Sequence, residues 1–499
     1  MSDDPFAVFD DTADNDSEED DDKPASSVGE RLLADANRKM LEKLSNENSK
    51  EFSSSTVHHV NSIDHSKFQK HEICWDAPLY LGPLVCVSSL DCGGGRGYVA
   101  SKDLEPGTLI MVEEPIIDWP EEQIGKELGP VSIYYLLNQP NAQKIIHDLE
   151  DFHPTKLAVD KFEIGNQQVR GMVEILERKF SDEMDPILSL AENFRNRDQS
   201  PLSLRDLIRI LLALRYNGFQ SGIYLHLAMI NHSCYPNSVK FVPSKNYSEV
   251  RTTRHVKAGE PVTISYLPRI VSFQTRHCDL WEQHMFDITV SEQFQTMELV
   301  GGALPKSNAH EKDEATVTSR VESATATLEE QYQDVAAAIV LDQSSENPIW
   351  EEMKALELAV LELWSEAKDQ LKNDCHLLLI PCLRLHLDVC DIIQASNILN
   401  SSQSVFLLLR IVKSANELLK LQTMLYGKDH FELARTNNDL SQAIAELLSR
   451  SPKQLMCAKM EGMISSSSCS TAEYRARSEF KRIRDLYPRD AEEYIKLKN

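Results

Sequence analysis

The chain reads as an α+β protein in which a β-sheet core carries a helical insertion and is followed by an all-α array. Three observations predict this. Short apolar and β-branched runs bounded by turn residues cluster between residues 80 and 112 and return between 238 and 267. Helical spacing of apolar residues fills 130–219 between them. From about residue 318 onward the same 3.6-residue spacing continues with no strand texture.

Taken in order, residues 1–66 are expected to form an acidic disordered tail with an isolated helix and a linker. Asp10 to Asp22 carries nine Asp or Glu residues and almost no apolar side chain, so it self-repels and cannot bury enough to order itself. Residues 29–45 have helical spacing, and 46–66 are rich in Ser, Asn and His. Leu84–Val87, Tyr98–Ala100 and Leu109–Val112 read as strands, the last two separated by the turn signal Glu105-Pro106-Gly107. Helices are expected at Val169–Phe180 and Leu202–Tyr216. Strands return at Ser238–Val242, Val250–His255 and Val262–Leu267. In the helical region 318–450, five amphipathic segments are expected at 318–341, 349–372, 377–398, 404–425 and 430–449, arranged as a helical, TPR-like array. Residues 451–499 are expected to hold a flexible Ser/Cys/Thr-rich stretch at 462–472 and a terminal helix at 472–497.

Bulk properties exclude several functions. The net charge of −26 argues against nucleic-acid binding by the protein as a whole and favours basic partners, such as lysine-rich segments. The ten cysteines are scattered with no Cys-x-x-Cys, which fits a reducing, intracellular setting, cytoplasm and/or nucleus, rather than a disulfide framework. No run of about eighteen apolar residues is present, so no membrane span is expected.

Three segments carry chemistry. Gly93-Gly94-Gly95-Arg96-Gly97-Tyr98 permits positive φ and close backbone approach to a ligand. It lacks the Lys-Ser/Thr of a phosphate loop and leads into a strand, so phosphate binding at a helix end does not apply. Asn231-His232-Ser233-Cys234-Tyr235-Pro236-Asn237 has turn chemistry, with Asn and Ser able to bond their own backbone. Gly259-Glu260-Pro261-Val262-Thr263-Ile264-Ser265-Tyr266 ends a strand on an aromatic residue. Alone, each also fits a plain turn or a core aromatic.

In this order the segments resemble the SET domain, and most closely its SET-and-MYND (SMYD) branch. The resemblance covers residues 80–290. It implies a SET-type sheet with a pseudoknot and protein lysine N-methyltransferase activity using S-adenosyl-L-methionine. It implies that Gly95, Arg96 and Gly97 meet the methionine end of the cofactor, and that Asn231 and His232 contact its adenine and amino-acid moieties. Asn217, in Tyr216-Asn217-Gly218-Phe219, lies at a further cofactor position of the family. Tyr266 matches the catalytic tyrosine and stands with the cofactor residues. Phe286 matches an aromatic that packs on the adenine or lines the lysine channel. Cys234 reads as packing, because no base is placed beside it.

Two departures matter. The MYND module needs about seven cysteines and a histidine to hold zinc, and residues 113–200 contain no cysteine. The family also completes a zinc site after the catalytic tyrosine. Met285, Ile288 and Val290 stand where its cysteines would be, so no metal is expected there and a small apolar cluster around Cys234 is. A metal-free substitute for that site, using His277, Cys278 and His284, is the alternative. The expected partner is a protein with an exposed lysine, histone or non-histone, with neither membrane nor direct nucleic-acid contact. The alternatives are a SET-derived non-catalytic binding module and a TPR-like scaffold.

Overall fold

Strands β1 (Tyr80–Leu81), β2 (Leu84–Leu90), β3 (Gly95–Ala100) and β4 (Leu109–Glu113) open the sheet region, as the apolar runs predict. The computed structural model describes residues 70–71, 73–90, 95–119, 129–155, 173–174, 176, 178, 187–219, 221–244, 247–267, 270–284, 311–341, 349–371, 376–395, 399–450 and 469–487. The acidic tail, the isolated helix and the linker expected in residues 1–66 lie outside this set, as do Gly93, Gly94, Met285, Phe286, Ile288 and Val290. Among the described residues no helix is long and apolar enough to cross a membrane.

β2 and β3 form an antiparallel hairpin with Val87 opposite Gly97. All five residues of β4 are buried, as a continuous apolar run covered on both faces requires. It is a central strand of an antiparallel sheet, between β1 and β9 (Tyr247–Thr252); β8 (Ser238–Ser244) closes that sheet on the far side of β9.

The insertion is helical. It includes α1 (Pro130–Leu137), α2 (Ala142–Leu149) and α3 (Leu204–Asn217). Ser203 caps α3 through a capping box with Asp206, each side chain bonding the other's backbone N–H. That box fixes where the helix starts, so its far end delivers Tyr216 and Asn217 to the site. Leu207, Ile208, Ile210, Leu211 and Leu214 bury its apolar face in the main core beside Tyr98, Phe152 and Tyr224. The short hairpin β5 (Gly218–Phe219) and β6 (Gly222–Ile223) follows.

The strand pair β7 (Asn231–His232) and β10 (Thr263–Ile264) runs parallel, with Asn231 opposite Thr263 and His232 opposite Ile264. Between them the chain leaves to build the β8–β9 hairpin and returns past β3, where the Val262 N–H donates to the Tyr98 carbonyl at 2.9 Å. This crossing is the pseudoknot-like feature that brings the second and third motifs together.

Two strand expectations are corrected. β9 covers Tyr247–Thr252 rather than 250–255. The expected strand 262–267 shrinks to two residues, because the Tyr266 N–H turns away from any ladder to bond the His232 ring.

α4 (Phe273–His284) follows, then the helical half. Its helices are α5 (Glu311–Leu341), α6 (Ile349–Leu371), α7 (Leu379–Ala395), α8 (Ser401–Tyr426), α9 (Glu432–Ser449) and α10 (Cys469–Leu486). Each packs on the next around a second core. Lengths of 31, 23, 17, 26 and 18 residues for α5 to α9 make an array of consecutive helices without a fixed repeat. The stretch expected to be flexible at 462–472 gives way to α10 from Cys469 onward.

The halves meet along β8. Phe241 packs edge-on against Phe431, with ring centroids 5.2 Å apart, and Tyr487 at the end of α10 lies 6.0 Å from Phe241. The Tyr487 hydroxyl is 2.8 Å from the Asp429 carbonyl and 3.3 Å from that of Thr252. One side chain thus ties the last helix to the sheet.

Candidate active site

Two frameworks hold the motifs. The first is polar and buried. Glu113, the last residue of β4, accepts backbone N–H bonds from Leu225 and His226 at 2.9 Å on one oxygen and from Leu227 at 2.7 Å on the other. Burial pushes its carboxyl up to about 7, against the pull of those three donors. Beside it His226 bridges the Tyr98 hydroxyl, 2.7 Å from Nδ1, and the Asp76 carbonyl, 2.8 Å from Nε2. The carbonyl can only accept, so Nε2 carries the proton and Nδ1 accepts from Tyr98. Strands β3 and β4 therefore both grip residues 225–227, immediately ahead of Asn231.

This predicts a result. Glu113→Gln places an amide NH2 against a backbone N–H, and its expected cost is about 1–3 kcal/mol for the broken bond. Urea unfolding of the variant beside wild type measures it. An unchanged midpoint would remove Glu113 from the framework.

The second framework joins the three motifs. Asn231 Nδ2 donates to the Arg96 carbonyl at 3.0 Å, which couples the second motif to the glycine turn. The Arg96 guanidinium donates to the Asp151 carbonyl. Asn217 Nδ2 donates to the His153 carbonyl at 2.7 Å and to the Ala213 carbonyl at 2.8 Å. The 151–153 turn thus bridges Arg96 and Asn217. Gly95 has φ +64°, and a Cβ built there meets nothing within 4 Å, so its backbone is open to close approach.

His232 links the second motif to the third. Its Nδ1 accepts the Tyr266 N–H at 2.9 Å, and its Nε2 lies 3.4 Å from Cys234 Sγ. An imidazole accepting at Nδ1 must carry its proton on Nε2. Burial holds it neutral, its pKa well below the usual range. The Tyr266 hydroxyl donates to the Ile230 carbonyl at 2.9 Å, and its ring centroid lies 5.2 Å from that of His232 and 4.8 Å from that of His284. Burial holds this phenol protonated. His284 in turn donates from Nδ1 to the Tyr216 carbonyl at 3.0 Å.

Beyond Tyr266 opens a cavity of about 420 Å³ between the two halves of the molecule. His232, Tyr266, Asn217 and Phe219 stand on the sheet side, and Tyr426 and His430 on the helical side. The structure therefore brings Asn217, His232 and Tyr266 to one cavity. Gly95, Arg96, Gly97 and Asn231 do not line it; they join it through His232, the neighbour of Asn231. Phe286 lies outside the described residues.

Cys234 packs beside Leu267, Phe273 and Leu280, and burial raises its thiol pKa. His277, Cys278 and His284 do not converge. Cys278 is exposed, whereas His284 is engaged with Tyr216. Among the described residues, only Glu357, His386 and Cys390 come within metal-binding reach of one another. There Arg410 Nε already stands 2.7 Å from Glu357 Oε1 and His386 Nε2 3.0 Å from it, which is a buried ion-pair cluster filled by a guanidinium.

The supporting residues Glu113, His226, Asp151 and His153 were not legible as site residues. Glu113 stands in a Glu-Glu pair whose inward member periodicity does not identify, and the other three lie outside any motif.

The SET domain family matches residues 95–267. A putative SET domain-containing protein, L678, of Acanthamoeba polyphaga mimivirus is 29% identical over 39% of this chain and 71% of its own length. The Drosophila melanogaster SET domain-containing protein SmydA-8 is 23% identical over 34% of this chain and 48% of its own. The Mus musculus histone-lysine N-methyltransferase SMYD3 is 33% identical over 13% of this chain and 15% of its own. The chain thus spans less than half of the last two relatives. A crystal structure of the SET domain of LSMT bound to lysine and AdoHcy aligns over 83% of this chain and 88% of that one, at 13% identity and a TM-score of 0.27. Residues 95–267 are matched as a SET domain, and the chain is similar in part to the SET-domain proteins SmydA-8 and SMYD3.

Proposed function

We propose that the protein is an S-adenosyl-L-methionine-dependent methyltransferase acting on a lysine amine of a protein. The observation that carries this reading is the lock between the second and third motifs: the Tyr266 N–H on His232 Nδ1 and the Tyr266 hydroxyl on the Ile230 carbonyl. It holds a neutral phenol on the wall of a cavity, next to the residues that would hold the cofactor.

Those residues fit the group. Gly95 offers open backbone at positive φ, and Asn231 is tied to Arg96, so one small molecule could meet both segments. Gly95, Arg96, Gly97, Asn231 and His232 would hold it, with Asn217 alongside. The cofactor supplies an activated methyl group when bound. Every other contribution belongs to the chain. Tyr266, donating its own proton to Ile230, keeps hydroxyl lone pairs free to accept from an amine N–H. It can therefore orient an incoming lysine and favour the positive charge that develops on it. No general base is needed at the site, because solvent can take the lysine proton before transfer. The net charge of −26 suits lysine-rich partners.

Calorimetric titration of the purified chain with S-adenosylmethionine tests the reading. Wild type is expected to bind in the micromolar range. His232→Ala, which leaves the buried Tyr266 N–H without its acceptor, is expected to lose at least tenfold in affinity, about 1.4 kcal/mol. A folded wild-type chain without affinity would overturn the reading and leave a SET-derived binding module.

A further inference from the structure

Lys240 is an unusual wall for a cavity that would receive a lysine. It stands on β8, lines the cavity with Phe219 and Tyr266, and reaches back toward the β5–β6 hairpin. Its Nζ lies 5.1 Å from the Phe219 ring centroid and 5.9 Å from that of Tyr224, and donates to Ser221 Oγ at 2.9 Å. Ser221 Oγ is also 3.0 Å from the Tyr224 hydroxyl, to which Ser248 Oγ donates at 2.9 Å. The ammonium is thus seated by two aromatic faces and a hydroxyl network. Among the described residues no carboxylate is paired with it. In a chain of net charge −26 this is a built site for a cation, filled from within.

We propose that Lys240 is an internal cation seated on the wall of the acceptor cavity, so that an incoming ammonium is excluded until Lys240 loses its charge or swings out. This rests on the reading of the cavity as the acceptor side of a methyltransferase. The physical reason is simple. Two ammonium ions in one partly desolvated cavity repel each other with little screening, and the wall already carries Arg276 beside its carboxylate Glu432. Displacing Lys240 requires only side-chain rotation, because its anchor is a neutral serine. Substrate entry is thereby made to depend on an event at the β5–β6 hairpin. Burial brings the Lys240 amine down to about 8, consistent with a seat that lacks an acidic partner.

Glu113, with its carboxyl at about 7, and Asp118 act on Tyr224 through their charge, and the Lys240→Met series separates that titration from that of Lys240. The cavity wall also carries Arg276 and Glu432. His232, His284 and His430 are already neutral at pH 7, and burial raises the phenols of Tyr216, Tyr224, Tyr266 and Tyr426 and the Cys234 thiol.

The experiment uses the full chain without cofactor and n-butylammonium as the probe, with n-butanol as its neutral counterpart, titrated by ligand-observed NMR. Lys240→Met is expected to bind butylammonium at least tenfold more tightly than wild type, with butanol affinity changed much less. Lys240→Arg is expected to stay weak. Wild-type affinity for butylammonium is expected to rise about tenfold from pH 7 to pH 9, with Lys240→Met flat over that range. A folded Lys240→Met chain that binds the ammonium no better than wild type overturns the proposal. If that variant does not fold, a flat wild-type pH series overturns it alone. S-adenosylmethionine titration of wild type, run in parallel, separates the two readings. Cofactor affinity with no Lys240 effect removes only this inference. No cofactor affinity removes the methyltransferase reading and this inference with it.

Discussion

Tyr266→Phe is expected to cut methyl transfer by about 10²–10³-fold while leaving S-adenosylmethionine affinity within about threefold. The substitution removes one oxygen. The backbone N–H of residue 266 still reaches His232 Nδ1, so the lock between the second and third motifs persists. What disappears is the hydroxyl that donates to the Ile230 carbonyl and leaves lone pairs for an amine. Loss of that bond also leaves a partly buried carbonyl unpaired, with an expected cost of about 1 kcal/mol in stability. The measurement is single-turnover transfer from labelled cofactor onto a lysine-bearing peptide array, beside calorimetric cofactor titration of the same preparation. Equal losses in binding and transfer would mean that Tyr266 builds the pocket rather than handling the amine. Unchanged transfer would remove it from the reaction.

The contrast between Tyr266 and Glu113 shows where sequence reasoning reaches and where it stops. Tyr266, His232 and Asn231 were visible because they sit in short contiguous motifs. The parallel pairing of residues 231–232 with 263–264 makes those motifs neighbours, as a pseudoknot requires. The helices were visible because 3.6-residue spacing survives in a single sequence: α6 was expected at 349–372 and runs Ile349–Leu371. Glu113 was not visible. Its role is to collect three N–H groups from residues more than a hundred positions away, and nothing local marks it. Lys240 was missed for a related reason. A lysine in a half-polar strand reads as a solvated edge charge, and only the hairpin brought against it by tertiary packing turns it inward onto Phe219. The strand expected to run to Leu267 failed for a third reason. A side-chain acceptor, His232 Nδ1, outcompetes the ladder for the Tyr266 N–H.

The same histidine chemistry sets the largest expected effect of pH on stability. Three buried imidazoles accept a backbone N–H at Nδ1: His232 from Tyr266 at 2.9 Å, His376 from Leu378 at 3.2 Å and His430 from Glu432 at 3.3 Å. The last two do so at the starts of α7 and α9. A protonated imidazole has no lone pair, so ionisation breaks each bond as well as burying a charge. Burial accordingly lowers His376 to about 4 and His430 to about 3, and drives His232 down as well; His284 falls to about 4, and His153 and His226 are lowered too. For such groups the unfolded chain binds protons that the folded chain refuses. Their stabilisation is complete above about pH 6.5 and is lost as pH falls toward 4. Four carboxyls work the other way. Glu113, raised to about 7, Asp391, raised to about 6, and the raised Glu432 and Asp439 bind protons in the folded state first. The imidazoles driven furthest down, His232, His284, His376 and His430, outnumber the carboxyls raised furthest, Glu113 and Asp391, so the refusals win. Stability is therefore expected to fall as pH drops from about 6.5 toward 4.5, at about 1.4 kcal/mol per pH unit for each excess proton. Urea midpoints between pH 7 and pH 4.5 measure the slope. His376→Asn and His430→Asn keep an acceptor at each helix start while removing the titration, so each is expected to lower the slope by about 1.4 kcal/mol per pH unit. A slope that neither substitution changes would mean that the acid sensitivity arises elsewhere, and that water reaches these imidazoles in the folded chain.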